Sequence, residues 1–254
     1  MTRALLLDVG NTRIKWGVWD SDRIRSTGSV TQEKIRERGL AALTTRLPSN
    51  VDTVLASNVA GASFATRLSG VLRLHCDAET HFAQSLKEMA GLKNSYRQPR
   101  RLGVDRWVAM VGAWCEYQAP MVVVDIGTAM TIDAIDADGQ HLGGQIVPGI
   151  QLMAEVLADG TEGLPSVAKR KAKAVRGVEM FADNTSRAIE QGLLNAVVGA
   201  IERAAWAVND ASGEPLLVLT GGDASRILSS LDDPHVHRPH LVLEGLARIL
   251  EEKA

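Results

Sequence analysis

The pattern Asp-x-Gly occurs twice in this sequence, each time directly after a short apolar run. The first copy, Asp8-Val9-Gly10-Asn11, follows Leu5-Leu6-Leu7, and the second, Asp125-Ile126-Gly127-Thr128, follows Met121-Val122-Val123-Val124. Glycine in such a turn lets the backbone approach a polyphosphate, whose oxygens can then bind turn N–H groups and an Asn or Thr side chain. The carboxylates would repel phosphate unless cations lay between them, so Asp8 and Asp125 predict Mg²⁺ or a monovalent ion. One copy alone would be better explained as an ordinary hairpin turn, but two copies after apolar strands favour phosphate binding.

A third glycine pattern lies near the C-terminus. Thr220-Gly221-Gly222-Asp223-Ala224 follows the apolar run 216–219 and precedes a predicted helix at 224–231. Two glycines there would permit a flat ligand such as adenine to lie against the backbone. An ordinary strand-to-helix loop is the alternative interpretation.

The sequence lacks the motifs of several other classes of enzyme. The sequence contains neither Gly-x-x-x-x-Gly-Lys-Ser/Thr nor Gly-x-Gly-x-x-Gly, which argues against a P-loop or dinucleotide enzyme. It has no His-Glu-x-x-His and no Cys/His cluster of a zinc enzyme, and His235-x-His237 is interpreted as a solvated loop rather than a metal site.

Length and composition limit the number of domains, the partners and the location of the protein. The 254 residues leave room for one large or two modest domains, and the net charge of -2 argues against a nucleic-acid partner. The two cysteines, Cys76 and Cys115, are far apart and fit a reducing compartment. No apolar stretch is long enough for a signal peptide or a membrane span. We therefore expect a soluble, cytoplasmic protein without a membrane partner.

Strand and helix patterns alternate around these turns. Alternating residues 13–19 predict the return strand of a hairpin, and Thr31 is expected to cap a helix that reaches about Arg46. Further predicted strands are 24–30, 51–59, 131–135 and 216–219, and further predicted helices are 62–72, a stretch ending near 117, 185–208 and 241–252. This alternation predicts an α/β fold. Aligning Asp8 on Asp125 indicates an internal repeat, and we expect two similar halves, 1–118 and 119–254.

In this order, the three glycine patterns resemble the phosphate-1, phosphate-2 and adenosine motifs of the actin-like ATPase superfamily, which includes the sugar kinases. Further stretches make the sequence similar to type III pantothenate kinases from residue 5 to about 247. The stretches are 8–15 (Asp-Val-Gly-Asn-Thr-Arg-Ile-Lys), Asn94-x-Tyr96, Gly103-Val104-Asp105-Arg106, 125–128, Gly143-Gly144-x-Ile146-x-Pro148-Gly149 and Thr220-Gly221-Gly222.

This resemblance implies two ribonuclease H-like halves with a nucleotide cleft between them. It implies phosphorylation of pantothenate to 4′-phosphopantothenate, the first step toward coenzyme A, with ATP, Mg²⁺ and a monovalent cation, K⁺ or NH₄⁺. A homodimer whose substrate pocket lies near the dimer contact is implied as well.

The resemblance also assigns residues. Asp105 would accept the proton of the pantothenate hydroxyl; its usual pKa of about 4 makes it a weak base, but phosphoryl transfer asks mainly for positioning. The substrate would be bound by Tyr96, Gly103, Val104, Asp105, Arg106 and Thr185. ATP would be bound by Asp8, Val9, Gly10, Asn11, Thr12, Arg13, Ile14, Lys15, Thr128, Gly221 and Gly222. Asp125 would hold the monovalent cation and Asp8 the Mg²⁺.

Each residue also has a plainer interpretation. Asp105 could be a helix N-terminal charge, Tyr96 a packing residue, and Thr185 the N-cap of the following helix. Two other functions stay open: a sister kinase for another small alcohol, and a non-catalytic transcription accessory factor of the same fold.

Overall fold

The computed structural model describes residues 3–168 and 171–252. By their internal contacts, the residues form two compact units, Met1–Glu116 with His240–Ala254, and Tyr117–Pro239.

The first unit is built on a five-stranded sheet of order β3-β2-β1-β4-β5. Its strands are β1 Arg3–Val9, β2 Arg13–Asp20, β3 Arg23–Thr31, β4 Thr53–Asn58 and β5 Thr80–Phe82. β1 pairs antiparallel with β2 and parallel with β4. Leu5, Leu7 and Val9 are buried in one core cluster, as the alternation of side chains along a strand requires. The predicted strand and hairpin are therefore confirmed.

The helices of this region are α1 Gln32–Arg38, α2 Ala41–Thr44, α3 Ala62–Cys76 and α4 Val104–Tyr117, and a small hairpin consists of β6 Glu88–Met89 and β7 Leu92–Lys93. Thr31 caps α1 as predicted, its side chain accepting a hydrogen bond from the Lys34 N–H. The single helix predicted to reach Arg46 is wrong. Gly39, with φ of 68°, ends α1, because this left-handed backbone cannot continue a right-handed helix.

The second unit repeats the first sheet in its strand order, β10-β9-β8-β11-β12. Its strands are β8 Met121–Ile126, β9 Ala129–Ile135, β10 His141–Pro148, β11 Leu216–Thr220 and β12 His235–His237, and its helices are α5 Ile150–Asp159 and α6 Thr185–Ser212. β8 pairs antiparallel with β9 and parallel with β11, as β1 does with β2 and β4. Leu194, Val197 and Ile201 of α6 are buried in the core of this unit. The internal repeat read from the sequence thus corresponds to two similar sheets.

Residues 224–231 do not form the predicted helix. They form two short 3₁₀ turns, Ala224–Arg226 and Leu228–Ser230. In an α-helix the Arg226 carbonyl would accept a hydrogen bond from the Ser230 N–H. Here it accepts one from the Ala174 N–H (2.9 Å), while the Ser230 N–H donates to Ile227. A partner distant in sequence has replaced the helical bond. The solvated loop expected at His235–His237 is strand β12 instead.

The last helix, α7 (Leu241–Glu251), belongs to the first unit. It packs on β1, β2 and β4. It also crosses α4 closely, since a Cβ built on Gly245 would lie 2.0 Å from the Val108 carbonyl oxygen. The predicted division assigned residues 240–254 to the second half, and these contacts correct it. Within the described residues, no helix is long and apolar enough to cross a membrane.

Candidate active site

The turn after β1 is closed by one residue from beyond β3. The Gly10 N–H donates to the Arg13 carbonyl across the turn (3.0 Å). Gln32 is 8% exposed; its backbone N–H donates to Thr12 (2.8 Å) and its side-chain amide donates to Gly10 (2.8 Å). These bonds turn two carbonyls of the loop toward the protein and leave Asn11, Thr12 and Arg13 exposed at its tip. A negatively charged group can approach the N–H groups of such a turn.

The predicted ATP residues of this hairpin differ in what they can offer. Val9 and Ile14 are fully buried in the core, so their side chains cannot touch a nucleotide and any contact must come from the backbone. Asp8 and Lys15 are half-buried and pair across the hairpin in register. The Arg13 guanidinium donates to the Ser29 hydroxyl (2.9 Å), which holds it along β3.

The turn after β8 is closed by a glycine instead. The Gly127 N–H donates to Ala129 (3.1 Å), and the Gly149 N–H donates to Thr128 (2.9 Å). A Cβ built on Gly149 would lie 2.0 Å from the Gly127 carbonyl oxygen, so the contact requires a bare backbone. The glycine-rich stretch 143–149 was noted in the sequence, but Gly149 was not predicted as a site residue. Thr128 is exposed on the turn.

The loop after β11 lies against the same turn. Asp125 is in register with Thr220, and the Asp223 N–H donates to Ile126 (3.1 Å). Gly221 has φ of 97°, and a Cβ there would lie 2.4 Å from the Ile126 carbonyl oxygen and 2.6 Å from Asp125 Oδ1. The structure therefore brings two predicted residues together, Asp125 and Gly221. Gly222 is exposed, with no atom within 4 Å of a Cβ built on it, which leaves room for a flat ligand.

The start of α4 explains the spacing of Gly-x-Asp-Arg. A Cβ built on Gly103 would lie 2.8 Å from Asp105 Oδ1, so a side chain at 103 would push the carboxylate away. Asp105 Oδ1 accepts a hydrogen bond from the Arg106 backbone N–H (2.8 Å), and the Gly103 carbonyl accepts one from Trp107 (3.0 Å). The half-buried carboxylate of Asp105 thus folds over the N-terminal end of α4, where the helix dipole stabilises negative charge.

The side chain that follows Asp105, that of Arg106, is bound to Tyr96. Arg106 is 7% exposed, and its Nη1 donates to the Tyr96 hydroxyl (3.2 Å). Its Cζ lies 6.0 Å from the centre of the Tyr96 ring, within the range of a cation–π contact. Tyr96, Asp105 and Arg106 therefore form one cluster within the first unit, with Val104 half-buried beside them.

Thr185 does not cap α6. The cap is Asn184, whose side chain accepts a hydrogen bond from the Arg187 N–H (3.1 Å). The N-cap interpretation of Thr185 is therefore wrong, and its exposed side chain is available for another contact.

The donor atoms suit hard cations. Among the described residues there is no group of three or more His, Cys, Asp or Glu that could hold a metal ion. Mg²⁺ in phosphoryl-transfer enzymes is usually held by one or two carboxylates together with substrate phosphates and water. Asp8 and Asp125 offer one carboxylate at each Asp-x-Gly turn, so the donor chemistry fits a cation shared with a polyphosphate.

Comparison with known proteins identifies the family. The sequence model of type III pantothenate kinase matches residues 4–207. A type III pantothenate kinase of Nitrosococcus oceani is 37% identical over 254 residues, covering 98% of this chain and 94% of the relative. One from Herminiimonas arsenicoxydans is 41% identical over 253 residues, covering 95% of each. The chain belongs to the type III pantothenate kinase family.

Solved structures at 14% and 20% identity share the actin-like α/β fold of this chain, and they bear on the fold alone. A Campylobacter jejuni protein described as a Baf family transcriptional activator has a TM-score of 0.64 at 20% identity, covering 98% of both chains. A protein described as a 2-dehydro-3-deoxygalactonokinase from Sinorhizobium meliloti has a TM-score of 0.59 at 14% identity, covering 98% of this chain and 96% of its own.

Proposed function

We propose that this pantothenate kinase transfers the γ-phosphate of ATP to the terminal hydroxyl of pantothenate, forming 4′-phosphopantothenate on the route to coenzyme A. The observation that carries the proposal is the cluster at the start of α4, in which Asp105 and the Tyr96–Arg106 pair lie together within a family match over residues 4–207.

Asp105 is proposed to accept the hydroxyl proton. The pantothenate oxygen attacks the γ-phosphorus, the bond from that phosphorus to the β–γ bridging oxygen breaks, and the proton passes to the Asp105 carboxylate. The hydrogen bond from the Arg106 N–H fixes this carboxylate over the helix start (2.8 Å). The fixed position lets the carboxylate take up the proton as the hydroxyl attacks, and the loose transition state of phosphoryl transfer makes a weak base sufficient for this role.

Arg106 is proposed to bind the pantothenate carboxylate. A guanidinium suits a carboxylate because its parallel N–H groups match the two oxygens. The Tyr96 hydroxyl and ring hold Arg106 from one side (3.2 Å), which limits its rotamers before substrate arrives. Pre-ordering a flexible side chain lowers the entropic cost of binding. Thr185 is proposed to contact pantothenate as well.

ATP is proposed to bind both Asp-x-Gly turns. The first unit supplies Asp8 to Lys15, whose exposed tip is 11–13; the second supplies Thr128, Gly221 and Gly222. Asp8 would hold Mg²⁺, which when bound neutralises charge on the phosphates. Asp125 would hold K⁺ or NH₄⁺, and Gly221 leaves its carboxylate the space that a side chain would fill.

A homodimer is proposed on the exposure of large apolar side chains. Val178, Phe181 and Trp206 are 84%, 78% and 65% exposed, and all lie on the second unit within 30 residues of Thr185. Such side chains on a water-facing surface favour a second copy as their cover. Replacing Val178 and Phe181 by Ser is expected to shift sedimentation from dimer toward monomer. A wild type that sediments as a monomer at micromolar concentration would contradict the dimer.

The rival functions make different demands. A transcription accessory factor needs no proton acceptor or acceptor-binding pair, yet this chain holds Asp105, Tyr96 and Arg106 in one cluster. The fold it shares with the Campylobacter jejuni protein does not decide between the two, because one fold hosts different functions.

The test is ADP release from ATP–Mg²⁺ with pantothenate, with and without K⁺ or NH₄⁺, against a panel of other small alcohols. We expect turnover that requires both pantothenate and the monovalent ion. Turnover with another alcohol in place of pantothenate would indicate a sister kinase. A folded protein that binds ATP, turns over no alcohol and shifts promoter DNA in a gel would establish the transcription factor instead.

A further inference from the structure

One fully buried carboxamide organises the loop that carries Tyr96. Asn94 is 0% exposed. Its Nδ2 donates to the Leu86 carbonyl (3.0 Å) and the Pro99 carbonyl (3.3 Å), and its Oδ1 accepts from the Tyr96 backbone N–H (2.9 Å). A single side chain therefore joins three separate points of the loop.

The loop 85–102 has little other regular structure. At its base the Ser85 hydroxyl, in a residue 3% exposed, donates to the Leu102 carbonyl (2.9 Å). Within it, β6 and β7 form a tight hairpin whose Ala90 and Gly91 have φ of 50° and 83°. Asn94 follows this hairpin and closes it, since its N–H donates to Lys87 (2.9 Å) and its carbonyl accepts from the Lys87 ammonium (3.2 Å).

We propose that Asn94 is a positioning residue for pantothenate binding, acting through Tyr96 on Arg106. The inference rests on the proposed function, in which Arg106 binds the pantothenate carboxylate. Asn94 itself is too deeply buried to touch a ligand. It fixes the backbone of Tyr96, and the Tyr96 hydroxyl accepts the hydrogen bond from Arg106 Nη1 (3.2 Å). Without Asn94, the Tyr96 ring would lose its fixed place beside the guanidinium.

The expected signature is a split between the two substrates. Asn94→Ala should raise the KM for pantothenate about tenfold or more, which is the size of one well-placed charge-assisted hydrogen bond. The KM for ATP should change by less than about twofold, because the side-chain hydrogen bonds of Asn94 end on Leu86, Tyr96 and Pro99, all within this loop. A smaller folded fraction lowers the maximal rate but leaves KM unchanged, so the split separates positioning from stability.

Two conservative variants sharpen the assignment. Asn94→Asp keeps an oxygen that can accept from the Tyr96 N–H but loses both donated hydrogen bonds. Its second oxygen instead faces the Leu86 and Pro99 carbonyls in a fully buried place, so Asn94→Asp should raise the pantothenate KM at least as much as Asn94→Ala. Asn94→Ser serves if Asn94→Ala is insoluble, and the same KM split is expected. As a matched control, Gln191→Ala removes another buried carboxamide, which donates to the Lys173 carbonyl (3.1 Å). It should lower thermal stability and leave the pantothenate KM unchanged.

The deciding experiment is a double-mutant cycle with Tyr96→Phe, which removes the hydroxyl bound by Arg106. If Asn94 acts through Tyr96, the double variant should have a pantothenate KM no more than about twofold above the larger single effect. Fully multiplicative effects, or an unchanged pantothenate KM in the Asn94 variants, would overturn the inference.

A second readout does not depend on the reaction. Trypsin can cut after Arg97 and Arg101, both exposed in this loop. Asn94→Ala should speed cutting there at least about threefold over wild type, with Gln191→Ala unchanged. Equal cutting in all three proteins would contradict the role of Asn94 in fixing the loop. If wild type cannot phosphorylate pantothenate, the proposed function fails, and this comparison still decides whether Asn94 holds Tyr96.

Discussion

The two Asp-x-Gly hairpins occupy equivalent places in two sheets of the same strand order, yet they are closed differently. Gln32 follows β3 and donates its backbone N–H to Thr12 (2.8 Å); Gly149 follows β10 and donates its own to Thr128 (2.9 Å). The equivalent backbone bond is therefore retained.

Gln32 and Gly149 differ in how they contact the carbonyl of the glycine in each Asp-x-Gly turn. In the first unit, the Gln32 side chain donates a hydrogen bond to the Gly10 carbonyl. In the second, Gly149 lies so close to the Gly127 carbonyl that no side chain fits. One turn depends on a polar side chain and the other on the absence of a side chain. Substitutions at Gln32 and Gly149 should therefore affect the two turns differently.

The largest effect is expected at Gly149. In Gly149→Ala the new Cβ would lie 2.0 Å from the Gly127 oxygen and 2.8 Å from the Thr128 oxygen, both backbone atoms that cannot simply rotate away. We expect a loss of about 3 kcal/mol of unfolding free energy, measured by urea denaturation. The matched control is Gly192→Ala within α6, where a Cβ meets nothing within 4 Å; it should stabilise by about 0.5–1 kcal/mol. Equal effects of the two variants would contradict the packing account.

A smaller effect is expected at Gln32. Gln32→Ala leaves the Gly10 carbonyl without its side-chain donor and should cost about 1–3 kcal/mol of unfolding free energy. The KM for ATP should rise, because the turn 10–12 loses the hydrogen bond from Gln32 that holds it. Gln32→Glu keeps the shape but presents an oxygen to that carbonyl, so it should be at least as harmful as Gln32→Ala. Recovery of stability and ATP KM in Gln32→Glu would show that packing, rather than the hydrogen bond, closes this turn.

Gly127 should behave differently from Gly149. A Cβ on Gly127 has its nearest neighbour at 3.5 Å, an ordinary contact, so Gly127→Ala should change unfolding free energy by less than about 0.5 kcal/mol. ATP binding, measured by calorimetry, should nevertheless weaken if phosphate approaches this backbone. Unchanged ATP affinity in a stable Gly127→Ala would remove the second turn from the nucleotide site.

The smallest effect concerns pH. Burial lowers the pKa of His237, on the edge strand of the second sheet, below its usual 6.5. The unfolded chain therefore takes up this proton first as pH falls through 6.5, and the folded state loses stability below that pH. Thermal melting at pH 7.5 and 5.5 should show a smaller loss of stability in His237→Gln than in wild type.

The sequence predicted the features that depend on neighbours along the chain. Apolar runs before Asp8 and Asp125 became buried strands, and the repeat of the hairpin became a repeat of the sheet. The contacts that close the two turns could not be predicted in this way. Gln32 donates to a residue 22 positions away, and Gly149 is required because no side chain fits against the Gly127 carbonyl. The same reason explains why 224–231 was mistaken for a helix, and why α7 was assigned to the wrong unit.

The most direct test compares wild type with Asp105→Asn in K⁺ and Mg²⁺, following 4′-phosphopantothenate by ³¹P NMR and pantothenate affinity by calorimetry. Asparagine keeps the shape and can still accept the hydrogen bond from the Arg106 N–H (2.8 Å), but it cannot take up the hydroxyl proton. The account predicts that pantothenate affinity is retained within a few fold while kcat falls by about 10²-fold or more. Product formation at the wild-type rate by Asp105→Asn would contradict the assignment of Asp105 as the proton acceptor.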